Sequence, residues 1–515
     1  MSELDSMKPY VLPEPNFAAY EAKKQWETYW TQKGQPWRTE PEIGAERQKY
    51  LEVQRRVEVY AAQCIYPFKD VELSRADVEW LLATHNGGCG PVFWNEDQST
   101  HRGLDLRGAI LRNVDLQDLP LAYLHGGIDL NIRWDATEEH RNAAAIHLEG
   151  AKLNGTHLEE ANLIEAHLEN AHLWNTHLEK AQLNDANFHG ATLWGTHLEG
   201  ANLCRAKFLT DLHHVSLDNA SINGANLEGS SIKVSSLVGA TLRGSNLKGA
   251  EILASSLESA DISGAELENT DLSRLNLEGV NLEQTYLGKA HLRRASFDHN
   301  TNFEGARFSD EKGIGPQVGD VHWGDVDLTV VEWSVVKMLK DEDDALNPTA
   351  YDGARKDRNT RMKEYQVAVR AYRQLAVVLR NQGLNEDAAR FAYRAQLMQR
   401  KVYKYQGKNW QFLGSFFLDL LSGYGYIWKR SLLAYLIVIL VFATAYFFIG
   451  LKLGPVLSPL GSLVFSMTSF HGRGFFPGGI SLDDPLTVVA AIEAFVGLLI
   501  EVTFIATLTQ RLFGK

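Results

Sequence analysis

The chain has 515 residues, too many for one ordinary domain, so two to four folded units are expected. Its net charge of −13 averages over opposed segments, acids dominating the first two thirds while residues 355–408 are strongly basic, and this excludes reading a partner from the total. Cys64, Cys89 and Cys204 are far apart and odd in number, which argues against a disulfide framework and fits a reducing compartment.

The opening stretch, MSELDSMKPYVLPEP, has no apolar h-region, so no cleaved signal peptide is expected and membrane insertion falls to later segments. Residues 1–100 contain no five-residue period and read as a mainly helical N-terminal cap. One helix is expected over 44–62, after PWRTEPEI, and a second over 74–84. Ser74 is the N-cap of the second, Asp77 takes the capping-box position, and Gly87-Gly88 ends it.

An interrupted period of five runs through residues 101–310. A short run, Leu106, Leu111, Leu116 and Leu121, is followed by an interruption containing Gly126, Gly127 and Trp134. From Leu148 a large apolar residue recurs every five positions to Phe208, slips by one four-residue step at Asp211–His214, and runs on from Leu217 to Phe297, with Phe303 and Phe308 closing it. Two residues before each stands a small one, as in ANLIE, AHLEN and AQLND. Period five fits neither an α-helix nor an alternating strand. It fits a square solenoid whose five-residue units each make one side, four units to a coil. Stacking at ~4.8 Å gives a rod roughly 40 Å long. Residues 104–310 thus resemble the pentapeptide-repeat family, which implies a right-handed quadrilateral β-helix, and an open solenoid end needs a cap.

Residues twenty apart share a face. THLE recurs from Thr156, Thr176 and Thr196, so His157, His177 and His197 form a candidate ladder flanked by Glu159, Glu179 and Glu199, with Trp174 and Trp194 on successive rungs. Such a ladder can bind a divalent metal or titrate near neutral pH. The plainer reading is that outward positions of duplicated coils accept any polar residue. No metal or cofactor is assigned. Acidic rungs (Glu228, Glu258, Glu268, Glu278, Glu283) keep open an alternative drawn from soluble relatives, an acidic DNA mimic that binds gyrase.

Residues 311–357 read as a linker, and 358–409 as a cytosolic helical hairpin. Its stripes are Tyr365, Val369, Tyr372, Ala376, Leu379 and Ala388, Phe391, Ala395, Met398, Val402, turning at Gly383 and Asn385. Residues 410–428 can lie along a membrane interface, and Gly423-Tyr424-Gly425 reads as a turn.

Within 429–515, residues 431–451 and 486–509 have the length and apolarity of spans. Lys429, Arg430, Arg511 and Lys515 put basic ends on one side, so both termini are expected in the cytosol of a bacterial (inner) membrane protein. Between the spans lies a re-entrant loop, 456–478, with an apolar segment too short to cross and a glycine-rich tail. Residues 410–515 resemble the two-transmembrane ion-channel family, which implies a homo-oligomer of four subunits around one pore, conducting inorganic ions. Aligning Ser466, Thr468 and Pro477 with that family's pattern makes Thr468, Ser469, Phe470, His471, Gly472, Arg473 and Gly474 the filter region. His471 and Arg473 then replace filter glycines, whose backbone carbonyls a potassium filter needs. Arg473 either faces the lumen and favours anions or pairs with Glu493 behind the loop. Glu493, Gly497 and Glu501 share one helix face, with Gly497 either a gate hinge or a close-packing point.

The expected function is therefore an ion-channel-like membrane protein, not potassium-selective, with a β-helix that binds an unknown cytosolic protein or ligand. A non-conducting membrane-tethered scaffold is the second reading. No nucleic-acid partner is expected. No enzyme is expected either, since phosphate loop, nucleophile elbow and HExxH are missing from the sequence.

Overall fold

A computed structural model describes residues 17–94, 102–133, 135–350, 353–453, 457–472 and 485–513. The opening stretch 1–16, Trp134, Arg473, Gly474 and Pro477 lie outside the described residues. Chain contacts divide the protein into one unit of residues 1–311 with 322–331 and another of 312–321 with 332–515.

The first unit begins with helices α1 (Phe17–Gln32), α2 (Ala45–Arg55) and α3 (Arg75–Ala83). Helix α2 is shorter than the 44–62 expected, because Tyr60 pairs with Ile65 across a tight turn that holds Cys64 at φ 54°. Helix α3 starts as the capping box predicts: the Asp77 N–H donates to the Ser74 hydroxyl, and the Ser74 N–H to the Asp77 carboxylate. Asp77 also takes Arg47 of α2 at 2.9 Å, tying the two helices. Glu72 pairs with Ile110, so this helical region continues the backbone ladder of the first coil.

The middle is a β-helix of five-residue units with parallel rungs every twenty residues: His147 pairs with His167, His167 with Asn187, Lys152 with His172. The large residue of each unit is buried from Leu148 to Phe308, and so is the small one two positions before it except at Thr210 and Ser255, which are half-buried. Four short strands form one parallel sheet in chain order, β1 (Leu193–Trp194), β2 (Leu212–His213), β3 (Ser231–Lys233) and β4 (Glu251–Leu253). The four-residue step is absorbed there, since Leu193 pairs with Leu212, and the later extra residue where Asn281 pairs with Asn302. The early run is not set apart: Ile110 pairs with His147, Asp115 with Lys152 and Pro120 with His157. The intervening residues, with helix α4 (Glu138–Ala144), leave the stack and return to it.

Residues 311–357 are not a linker. In the first unit Trp323, Val326, Leu328 and Val331 are buried, and in the second Val321, Trp333 and Val336 are buried. Trp323 stacks on Phe297 at 5.6 Å as His322 pairs with Ser296. In the second unit Ile314 pairs with Met338, and helix α5 (Lys340–Leu346) follows.

Helices α6 (Arg358–Asn381) and α7 (Asn385–Gln406) bury their apolar stripes against each other, and Tyr372 stacks on Phe391 at 5.9 Å. Helix α8 (Asn409–Ser422) leaves Phe416, Phe417 and Leu420 exposed and ends in a turn with positive φ at Gly423, Tyr424 and Gly425. Helices α9 (Trp428–Leu453) and α11 (Pro485–Phe513) each contain a segment long and apolar enough to cross a membrane. Between them α10 (Pro459–Phe470) starts at an N-cap, Ser458, whose hydroxyl accepts from the Gly461 N–H.

The stacked rings of Phe188 and Phe208, 4.9 Å apart and buried, test the packed axis of the β-helix. Phe188→Ala is expected to lower stability by about 3–5 kcal/mol. Denaturant unfolding of the detergent-solubilised chain reads this, and an unchanged midpoint would contradict an interlocked core.

Candidate functional site

On the β-helix, the Thr156, Thr176 and Thr196 hydroxyls are buried and donate to the carbonyls of Leu116, Leu153 and Leu173. Each such anchor fixes the rung that follows. The imidazoles of His157, His177 and His197 therefore stack nearly parallel, with centroids 4.7 and 4.8 Å apart. Each Nδ1 meets the glutamate two residues on: Glu159 at 2.8 Å, Glu179 at 3.0 Å, Glu199 at 3.4 Å. The bond to Glu159 raises the His157 pKa above its ordinary value, against the opposing effect of burial. Trp174 and Trp194 lie on successive rungs, and Trp194 stacks on His213 at 5.6 Å. A second column, His147 over His167 at 4.6 Å with Glu149 and Glu169 beside them, was missed. The same His-Leu-Glu triplet marks it at 147–149 and 167–169, preceded by Ile or Ala instead of Thr. The acidic rungs are interleaved with bases, Lys248 lying 2.7 Å from Glu266 and Lys289 3.7 Å from Glu268.

In the second unit Glu493 of α11 is fully buried, at 0 % exposure. It accepts from the Tyr446 hydroxyl of α9 at 2.6 Å and pairs with the Ser466 hydroxyl of α10. Its partners among the described residues are thus hydroxyls. The expected alternative, Arg473, lies outside them. Gly497 lies against the end of α10: a Cβ there would stand 2.2 Å from the Phe470 carbonyl oxygen, a close-packing role. Glu501 pairs with His471 Nδ1, and His471 Nε2 lies 3.2 Å from the Tyr435 hydroxyl of α9. The shared face of Glu493, Gly497 and Glu501 is accordingly turned toward α10 and its C-cap. Thr468 bonds back to the Phe465 carbonyl at 2.9 Å, Ser469 and Phe470 are buried, and Gly472 has φ 64°.

One node had no sequence signal. Asp419 of α8 accepts from Tyr393 (2.8 Å) and Arg400 (2.8 Å) of α7 and from Arg430 (2.7 Å) at the start of α9. Burial opposes its charge, but the Tyr393 hydroxyl and the two guanidiniums outweigh it and hold the carboxyl below its usual pKa. A depressed carboxyl contributes stability that is present above its unfolded pKa and lost as pH falls through the folded one. The α7–α8–α9 junction should therefore be insensitive to pH between about 5 and 8. Hydrogen exchange in α8 across that range checks it, and a progressive loss of protection from neutrality downward would count against the node. Separately, Gly497→Ala is expected to cost about 1–3 kcal/mol by overpacking. A lowered thermal midpoint in detergent reads this, and an unchanged one would leave the glycine free for hinge motion.

Pentapeptide repeats match in 8 copies, at residues 145–179, 181–209, 235–274 and 276–310. No curated protein matches the chain. Among solved structures, HetL of the cyanobacterium Nostoc sp. strain PCC 7120, a pentapeptide repeat protein involved in heterocyst differentiation regulation, is 23% identical over 43% of this chain and 93% of its own, with a TM-score of 0.21. QnrB1, a plasmid-mediated fluoroquinolone resistance protein, is 17% identical over 38% of this chain and 92% of its own, at 0.18. Rfr23, a pentapeptide repeat protein of the cyanobacterium Cyanothece 51142, is 21% identical over 39% of this chain and 91% of its own, at 0.09. From the repeat matches and the twenty-residue rungs together, residues 145–310 are a pentapeptide-repeat β-helix, carried on one chain with two helices long and apolar enough to cross a membrane.

Proposed function

We propose that this chain is one subunit of a four-fold, ion-conducting membrane protein in which a cytosolic, right-handed quadrilateral β-helix serves as sensor or scaffold. The observation that carries this reading is α10. Its 12 residues span about 18 Å, too short for a hydrocarbon core of about 30 Å, yet it lies between two spans and packs on both. Its buried side carries Ser462, Ser466 and Ser469. Non-spanning backbone at membrane depth needs protein or a water-filled cavity around it, and a pore loop has this form. Basic residues at the outer ends of both spans support cytosolic termini.

The permeant ion is not potassium. His471 stands where a filter glycine would, and its ring is engaged by Tyr435 and Glu501. Arg473 follows in the second glycine position and favours anion or non-selective conduction. Asp419 supports the coupling: a partner or ligand on the cytosolic side that displaces α7 would pull on Arg430 and so on α9. The second reading, a non-conducting tethered scaffold, is favoured by one observation. Glu493 and Glu501 are both satisfied within a single chain.

Single-channel recording of the purified protein in planar bilayers, with asymmetric potassium chloride, separates the two. The pore reading expects anion-selective or non-selective current, a selectivity shifted toward cations in Arg473→Ala, and an open probability changed at unaltered conductance in Asp419→Asn. Cation-selective current unaffected by Arg473→Ala would remove that side chain from the lumen. Silence from a folded protein under all conditions would favour the scaffold.

A further inference from the structure

We propose that the His157–Glu199 column of the β-helix is a binding site for divalent transition metal, with zinc as the type ion. Two donor sets follow one another along it: His157, Glu159 and His177, then Glu179, His197 and Glu199. In each set the donor atoms lie within 4.8 Å of one another. Tetrahedral zinc at about 2.0–2.1 Å from nitrogen and oxygen donors needs them about 3.4 Å apart, so binding requires the side chains to draw together around the ion.

A second observation points to a cation. In each glutamate one oxygen meets its own histidine, while the other, Oε2 of Glu159, Glu179 and Glu199, is buried without a hydrogen-bond partner. The Glu159 side chain is only 5% exposed, so water reaches it poorly. An unpaired buried carboxylate oxygen is unfavourable, and three carboxylates on successive rungs repel one another. Among the described residues no lysine or arginine pairs with these three glutamates.

At one rung of the neighbouring column the chain itself brings a cation to this motif, although Oε2 of Glu149 and of Glu169 is unpartnered there as well. There the Arg112 guanidinium lies 3.1 Å from Glu149 Oε1 and 3.2 Å from His147 Nδ1, at the point where those two groups meet. The His157 column repeats the His-Leu-Glu geometry without an arginine. Mixed imidazole and carboxylate donors select zinc, cobalt, nickel or copper over magnesium and calcium, which prefer all-oxygen shells. With three protein donors per set, water completes the coordination.

The test uses tag-free full-length protein in detergent, stripped with chelator and titrated with zinc chloride by calorimetry, with thermal unfolding of the β-helix as a second readout. Expected are about two zinc ions per chain, a raised unfolding temperature, and no response to magnesium. His177→Ala and Glu199→Gln should each weaken binding at least about tenfold. Glu159→Gln keeps an acceptor for His157 and removes only the charge, so it separates loss of metal from loss of the rung. Circular dichroism identical to the parent shows that a variant has folded. Zinc binding that is missing, unchanged in all three folded variants, or matched by magnesium overturns the proposal.

Discussion

Nearly every unit of this β-helix, those of Phe208, Phe297 and Phe308 excepted, turns its corner through one residue with positive φ, and the rest of the solenoid is arranged around that requirement. The values recur at Gly150 (66°), Gly155 (65°), Glu160 (55°), Glu165 (63°) and Asn170 (58°). For a residue with a side chain this region costs about 1–2 kcal/mol. The strained residue is held by the ladder itself, because its N–H donates to the next coil: Glu160 to Glu179 O and Asn170 to His189 O, each 2.9 Å. With the corner fixed, the central leucine points to the axis and its two neighbours point outward from the same rung. That is why His157 and Glu159, flanking Leu158, meet side by side, and why a three-letter triplet repeated at twenty becomes a column of paired donors.

The membrane-type helices obey the opposite economy. They have no backbone ladder between them, so contact depends on what the side chains leave bare. Gly497 lets α11 touch the Phe470 carbonyl, and the polar groups that remain, Tyr446, Ser466 and Glu493, are gathered into one buried contact among three helices. At the other end of α9, Asp419 plays the corresponding part, collecting three donors where α7, α8 and α9 converge.

The β-helix was legible because its signal is local: one large residue every five and a small one two before it. The rung that His322 adds on Ser296 was harder to read, because tryptophan stands at 323 where the repeat elsewhere has leucine or phenylalanine. What could not be read is anything that joins distant positions without a period. The partners of Glu493 sit 47 and 27 residues away on other helices, and no spacing announces them. The Asp419 node is of the same kind. Its acid is unremarkable in sequence, and its donors belong to two different helices.

The departure of the chain after His125 and its return at His147 has a consequence for how such a solenoid grows. Pro120 rests on His157 as directly as His157 rests on His177. The stack registers only which rungs are adjacent, not how much polypeptide was spent between them. Rod length and chain length are therefore separate quantities in this architecture. A loop can be lengthened, shortened or given its own helix at such a point while every surface column above and below stays in register.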